Sequence, residues 1–476
     1  MTADRADVAF LGVRRLAALV REREISPVEI VRLYLERIAR YDPKLRAYIT
    51  VLPDTALDAA RRAETAVMRG EPIGPLHGIP YAVKDQFDTA GVRTTCGSRI
   101  LEHHVPIENA TTIERLNAAG GILLGKLNLT EFALGGTQNF PFGQPRNPWN
   151  LDHDPGGSSS GSGIAVAAGL CAASLGEDTG GSVRSPASFC GVVGLRPTWS
   201  RVSRHGSFPL SWSMDTPGPL ARTVEDAAWL LHAIAGYDPK DPLSSRMAVP
   251  DYTRGLADGV RGLRIGIVRE LTSGAETGAE VRTAVVEAAR RLEQLGALVE
   301  EILLPLVPLA GAVFMALADS DGAGVHYGWL RKRAADYDRG TRRRLLTASL
   351  IPAAVQQRAA RARALLRAEM CDALARHDLL LCPTAHQAAP PIAAARGPIT
   401  SRHEVAGRFF TRRSYVTPAA LAGLPAIAVP CGFTSSGMPL SVQLIGRHFE
   451  EATLLRAAHA YEQHTAWWRR RPPDPI

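Results

Sequence analysis

Three side chains in this sequence are of the types that acyl transfer needs, and each sits in a segment unusual for a bland globular chain. Ser182 follows two glycines in EDTGGSVRSPASFCG, residues 177–191. Ser158 opens the serine run of DPGGSSSGSGIAVAAG, 154–169, a Gly/Ser loop leading into small apolar residues. Lys84 ends the apolar run of PLHGIPYAVKDQFDTAG, 75–91. A serine hydroxyl is a weak nucleophile until a neighbouring base takes its proton. Neither serine segment contains a histidine. A neutral lysine can take that role, and Ser-Lys pairs are a known variant of triad logic. Burial at a strand end disfavours the ammonium form, which is what a lysine base requires. The Gly-Gly-Ser turn offers backbone N–H groups to a developing oxyanion with no side chains in the way. Taken singly, each segment also has a plain reading: a tight loop, a flexible helix start, and a lysine snorkelling from a strand end.

Together the three segments resemble the amidase signature family, serine hydrolases with a Ser-Ser-Lys triad. The GGSS loop and the DTGGSVR turn carry the resemblance most specifically, and their serines, Ser158 and Ser182, lie 24 residues apart, the family's usual spacing. Similar stretches continue through FCGVVGLRPTWSRVSRHGSFPLSWSMDTPGPLARTVEDAAWLLHAIAGYDP, 189–239, then LCPT, 381–384, and AGLPAIAVPCGFTSSGMPLSVQLIGRHFEEATLLRAAHAYEQ, 422–463. The likeness is weakest between 250 and 375. It implies Ser182 as nucleophile, Ser158 as a bridging serine preceded by a cis peptide bond, and Lys84 as base. It also implies an oxyanion hole of the Thr179, Gly180, Gly181 and Ser182 amides, with Asp178 and Arg184 bracing the turn. A loop salt bridge without catalytic effect is the alternative for that last pair. No metal and no organic cofactor is implied. Because the base must be unprotonated, activity is expected to rise toward mildly alkaline pH. Three positions depart from the pattern: Ser160 stands where glycine is usual, Glu177 replaces a small hydroxyl residue, and Gln86 sits where Asn often follows the Lys-Asp pair.

The activity so implied is amide C–N hydrolysis. The leading expectation is a free-standing amidase for small aryl or hydrophobic amides, with carbamates as a variant because they present a similar carbonyl. Apolar residues in the pocket region 310–420 (Phe314, Met315, Leu317, Tyr327, Trp329, Ile351) agree with a hydrophobic substrate and equally with plain core. The alternative is the glutaminase subunit of a tRNA-dependent amidotransferase. That subunit carries an acidic residue shortly before the AGLP stretch, which holds the glutamine amino group. Aligned by eye, the position falls on Arg413 in TRRSYVTPAALAGLP, where a cation would repel an ammonium group. A non-catalytic scaffold is a further alternative, against which the intact Lys84, Ser158 and Ser182 argue. The expected partner is a small-molecule amide or carbamate, without nucleic acid or membrane, and with a homodimer as the one assembly considered.

These residues need elements to hold them. ISPVEIVRLYLERIARYD has Ser26 as N-cap, Pro27 in the first turn, Glu29 at the capping-box position, and apolar residues at helical period. Further helices are expected at 54–69, 111–119, 222–235, 279–296, 341–376 and 450–464. Buried strands are expected at IPYAV (79–83), GILLGKL (121–127), LRIGIV (263–268), LLLCP (379–383), AIAVPCG (426–432) and SVQLIG (441–446). Strands alternating with helices point to an α/β fold, a central mixed sheet covered on both faces by helices. The chain is divided as one domain, 1–476: a helical part to 70, a catalytic core 71–240, a variable pocket part 241–420, and C-terminal core strands and helix 421–476. The region 384–412 reads as loop.

Two motifs are decoys. GGILLGK, 120–126, is followed by Leu127 where a phosphate-binding loop needs Ser or Thr. GSSSG, 157–161, matches a nucleophile elbow around Ser159, but polar WNLDHDP stands where a strand must feed the turn. The net charge of +8 is spread along the chain, and the arginine runs 342–344 and 469–471 read as solvated surface rather than a nucleic-acid site. The start, MTADRADVAF, has no signal-peptide pattern, and the six cysteines show no paired spacing, so a reduced, cytoplasmic protein is expected.

Overall fold

The computed structural model describes residues 5–392, 401, 404 and 410–474. Eleven strands form one sheet: β1 Tyr48–Val51, β2 Pro80–Lys84, β3 Ile122–Leu127, β4 Ala173–Glu177, β5 Val193–Arg196, β6 Pro217–Ala221, β7 Arg264–Val268, β8 Leu298–Ile302, β9 Leu379–Pro383, β10 Ala426–Phe433 and β11 Pro439–Gly446. Their order across the sheet is β1-β3-β2-β4-β6-β5-β10-β11-β9-β7-β8. Parallel pairs (β2 with β3 and β4, β7 with β8 and β9) are joined by antiparallel ones through the middle. This is the α/β fold with a mixed central sheet expected from the alternation of elements. Strands β2, β4, β5, β6, β9 and β11 are buried along their whole length, as a sheet covered on both faces requires.

All six expected strands form. The helix Pro27–Leu45 starts as its sequence dictates: the Ser26 hydroxyl accepts from the Val28 and Glu29 amides at 3.0 and 3.1 Å, and Glu29 accepts from the Ser26 amide at 2.9 Å. The helix expected over 341–376 is two, Arg339–Ala348 and Ala353–Arg376. Pro352 at the second N-cap explains the break, since its ring cannot continue a helix. A 23-residue helix, Ala310–Lys332, was not anticipated. Of the region read as loop, residues 393–400, 402–403 and 405–409 lie outside the described residues, and Thr411–Tyr415 form a short 3-10 turn. Among the described residues no helix is long and apolar enough to cross a membrane.

The GGILLGK stretch is mostly β3, and its Lys126 is a buried structural cation. It donates to Thr94 Oγ1 at 2.6 Å and the Phe87 carbonyl at 2.7 Å, and lies 3.2 Å from Asp85. Of the two arginine runs, 469–471 is exposed, but Arg344 turns inward onto Asp319 at 2.5 Å, so the solvated reading fails for that residue.

Candidate active site

Lys84 is the last residue of β2 and is fully buried. Its Nζ donates to Ser158 Oγ at 2.8 Å across 74 residues of sequence. Ser158 is 3% exposed, and the Gly157–Ser158 peptide is cis. The loop then enters the helix Ser160–Ala167, whose eight residues are all buried. This helix tolerates no bulk: a Cβ on Gly161 would strike the backbone of Ala47 and Asn128. The Ser160 hydroxyl donates to the Gly156 carbonyl at 2.6 Å and ties the helix start to the Gly/Ser loop. Ser159, the decoy elbow residue, is fully buried against β4 instead of facing a cleft.

Ser182 lies in the turn between β4 and the helix Arg184–Cys190. Its carbonyl accepts from the Ser159 amide at 3.2 Å, so the two serine loops are stitched together one residue beyond Ser158. Ser182 is partly exposed whereas Lys84 and Ser158 are buried, which orders the three from solvent inward. Burial lowers the Lys84 pKa, a shift that an ionised Glu177 would oppose.

The turn is braced from beneath by Asp178. Its Oδ1 accepts from the Gly181 amide at 2.7 Å, Arg184 Nη2 at 3.0 Å and Arg196 Nη1 at 3.1 Å, while Oδ2 accepts from the Val183 amide at 3.2 Å and Arg184 Nε at 3.1 Å. Burial alone would raise this carboxyl's pKa. The Arg184 and Arg196 guanidiniums overcome that and hold it well below the usual carboxylate range. Arg184 reaches on to Gln443 Oε1 on β11 at 2.8 Å, and Arg196 also contacts the Asp178 carbonyl. With Gly181 committed to Asp178, the amides of Thr179, Gly180 and Ser182 are those without an acceptor among the described residues. The turn is roofed tightly. A Cβ on Gly180 would overlap the Phe314 ring, and one on Gly181, whose φ is +107°, would overlap Val416.

Glu177 is buried beside Lys84. Its Oε2 lies 3.7 Å from Lys84 Nζ, and its Oε1 lies 2.9 Å from Thr179 Oγ1, which is also 2.8 Å from Asp215 Oδ1. Gln86 donates to the Phe208 carbonyl at 2.7 Å. Sequence reasoning left Arg196, Asp215 and Gln443 without roles at the site, and named Phe314 only as an apolar residue of the pocket region. A signal existed for Asp215, a lone acid before the short Pro/Gly strand of MDTPGP. None existed for Gln443, which arrives from 259 residues away.

A sequence model of the amidase family matches residues 29–455. A glutamyl-tRNA(Gln) amidotransferase subunit of Thermosynechococcus vestitus is 43% identical, over 95% of this chain and 98% of its own. The crystal structure of a glutamyl-tRNA(Gln) amidotransferase subunit from Thermotoga maritima superposes with a TM-score of 0.82 at 34% identity, covering 98% of this chain and 96% of that one. A solved structure described as a vestigial protein complex that reveals the evolutionary origins of an s-triazine catabolic enzyme superposes at 0.88 and 34% identity, covering 95% and 98%.

These relatives overturn the expectation of a free-standing aryl or carbamate hydrolase. That reading leaned on one eye-aligned position, Arg413, and on the apolar content of 310–420, against identity that runs the length of an amidotransferase subunit. The apolar residues also disperse in space. Phe314 roofs Gly180, Leu317 is core, Tyr327 is 61% exposed, and Trp329 joins a ring cluster with Phe132 and Phe208. The expected partners, a small molecule and at most a second copy, are corrected with it, since the named relatives are one subunit of an enzyme acting on a glutamyl-tRNA. The chain belongs to the amidase family, enzymes that hydrolyse amide C–N bonds.

Proposed function

We propose that this chain is the amide-hydrolysing subunit of a glutamyl-tRNA(Gln) amidotransferase, releasing ammonia from glutamine in a reducing cytoplasm for use by its partner subunits. The observation that carries this is the 43% identity to such a subunit over nearly the whole of both chains. Six free cysteines agree with the compartment.

In the proposed mechanism neutral Lys84 takes a proton from Ser158, which takes one from Ser182 as that oxygen attacks the glutamine side-chain carbonyl. The amides of Thr179, Gly180 and Ser182 receive the oxyanion, and Asp178 fixes the turn by occupying the Gly181 amide. The proton returns along the same path to expel ammonia, and water then hydrolyses the acyl-enzyme. Free glutamine also needs a cation for its carboxylate and an anion for its ammonium. Arg344 and Asp319, paired at 2.5 Å, carry both charges. Asp319 lies on the helix whose Phe314 roofs Gly180. Arg344 borders Gly135, in the segment whose Thr130 amide donates to the Ser158 carbonyl at 3.2 Å. The cation at Arg413 therefore does not decide against glutamine.

The test is ammonia release from glutamine, with and without the remaining subunits of a related amidotransferase, beside Ser182→Ala. We expect release that the partners increase and the substitution lowers about a thousandfold or more. Glutamine left intact under both conditions, with aryl amides turned over instead, refutes the proposal.

A further inference from the structure

The two buried lysines of the core differ in a way that reports their charge. Lys126 donates to Thr94 and the Phe87 carbonyl and has the Asp85 carboxylate at 3.2 Å, contacts that suit an ammonium in a dry site. Lys84 meets one acceptor, Ser158 Oγ. The Glu177 Oε2 facing it stays at 3.7 Å and has no hydrogen-bond partner, whereas an ammonium and a carboxylate sealed together close to about 2.8 Å. The contacts of Lys84 are those of a neutral amine.

The proton count beside it agrees. Thr179 Oγ1 lies 2.9 Å from Glu177 Oε1 and 2.8 Å from Asp215 Oδ1. A hydroxyl carries one proton and can satisfy one of these oxygens, so the other contact needs a proton from a carboxyl. Asp215 accepts from the Leu210 amide at 2.8 Å, and the Ser211 amide bridges both its oxygens at 3.0 Å. Glu177 has only the Thr216 amide, at 3.3 Å. Amide donors favour the charged form, so Asp215 holds the charge and Glu177 the proton.

The groups facing this cluster come from every packed element: Lys84 ending β2, Cys96 in the loop beyond it, Asp178 and Arg184 in the turn and its helix, Arg196 ending β5, and Asp215 ahead of β6. With Lys84 and Glu177 both neutral, two guanidiniums face two carboxylates and the cluster carries no net charge. Burial raises the Glu177 pKa and lowers that of Lys84; it also raises that of Asp215, to about 8, and there the Leu210 and Ser211 amides oppose the rise.

We propose that Glu177 is a positioning residue whose protonated carboxyl, held through Thr179 by ionised Asp215, keeps Lys84 an unprotonated amine. In this arrangement the proton leaves Lys84 Nζ and resides on Glu177 Oε1, so the base forms without a change in the site's net charge. The small hydroxyl residue usual at this position has no such capacity. The inference rests on the reading of Lys84 as the base.

The test has two readouts. The first is the pH profile of kcat/KM for glutamine in the wild type, Glu177→Gln, Asp215→Asn and the double variant. Gln mimics a neutral acid, so Glu177→Gln is expected to leave the rising limb in place. Asp215→Asn frees Glu177 to ionise and recharge Lys84, moving the limb alkaline by about one unit, a tenfold loss on its acid side. Adding Glu177→Gln to Asp215→Asn is expected to return the limb to its wild-type position, which a merely structural role would not do. A limb that moves acidward in Glu177→Gln alone would mean an ionised counter-ion and overturns the proposal. The second readout is the infrared carboxylic-acid band at neutral pH in the wild-type minus Glu177→Gln difference spectrum, where a positive band is expected; its absence from the difference also overturns the proposal. The band needs no substrate, so it is decided even where glutamine turnover, and with it the proposed function, fails.

Discussion

At the scale of single residues, Asp178 does the most to shape the site. Two guanidiniums and two turn amides converge on one buried carboxylate. Removing one partner of such a group leaves charge buried without compensation, which typically costs about 3–5 kcal/mol. Asp178→Ala is therefore expected to lower the free energy of unfolding in urea by that amount and to abolish turnover. The depressed pKa fixes the sign of the acid response. The contribution is full above the ordinary carboxylate range, that is above about pH 4, and is lost as pH falls toward the native pKa. Thermal scans from neutral pH downward check it: Asp178→Asn is expected to lose less of its own stability below about pH 4 than the wild type does. For the proposed substrate, Arg344→Met removes a charge-assisted contact and is expected to raise KM for glutamine about tenfold while changing kcat less. An equal fall in kcat with KM unchanged would place Arg344 outside the substrate's contacts.

At the scale of elements, legibility in the sequence followed side-chain bulk. The six strands anticipated are apolar runs with Ile, Leu or Val at several positions, whereas β4 (ASLGE), β5 (VGLR) and β6 (PGPLA) hide behind glycine and proline. Their small residues have a packing cause. A Cβ on Gly176 would come within 2.8 Å of Leu220 and Ser159, one on Gly194 within 2.5 Å of Ala187, and one on Gly218 would overlap the Leu195 carbonyl. The centre of the sheet is thin so that the helices that follow Ser158 and Ser182 can approach it. The helix Ala310–Lys332 escaped notice because it packs on several sides, leaving no clean polar face to mark a period. The triad candidates were legible because their motifs are local. Arg196 and Gln443 were not, because only the fold brings them to the turn. The crowding at Gly180 gives a test at this scale. Gly180→Ala forces the Phe314 ring and the turn apart, and about 1 Å of displacement is expected to cost about a hundredfold in kcat/KM. The further change Phe314→Ala relieves the overlap and should recover part of it.

At the scale of the whole molecule, the sheet is two blocks joined by a late hairpin. Strands β1 to β6 lie on one side and β7 to β9 on the other, and β10–β11 fills the gap by pairing with β5 and β9. The outer strand β8 is mostly exposed and carries Glu300 and Glu301, charges that oppose edge-to-edge association. A chain ending before Ala426 loses the bridge between the blocks and the Gln443 contact to Arg184. It is expected to be inactive and to aggregate, as light scattering after expression would reveal. The full chain mixed with the other subunits of a related amidotransferase is expected to elute as a larger complex, and elution unchanged from the chain alone would count against the proposed assembly.

The late hairpin also has a meaning in time. Lys84, Ser158 and Ser182 leave the ribosome long before β10 and β11 do, because chains emerge from the N-terminus. Until the hairpin inserts, Arg184 has no Gln443 to lean on and the turn around Ser182 lacks one of its walls. Synthesis itself thus acts as a timer: a growing polypeptide carries its candidate nucleophile in an unassembled state, and the site is complete only when translation is nearly done.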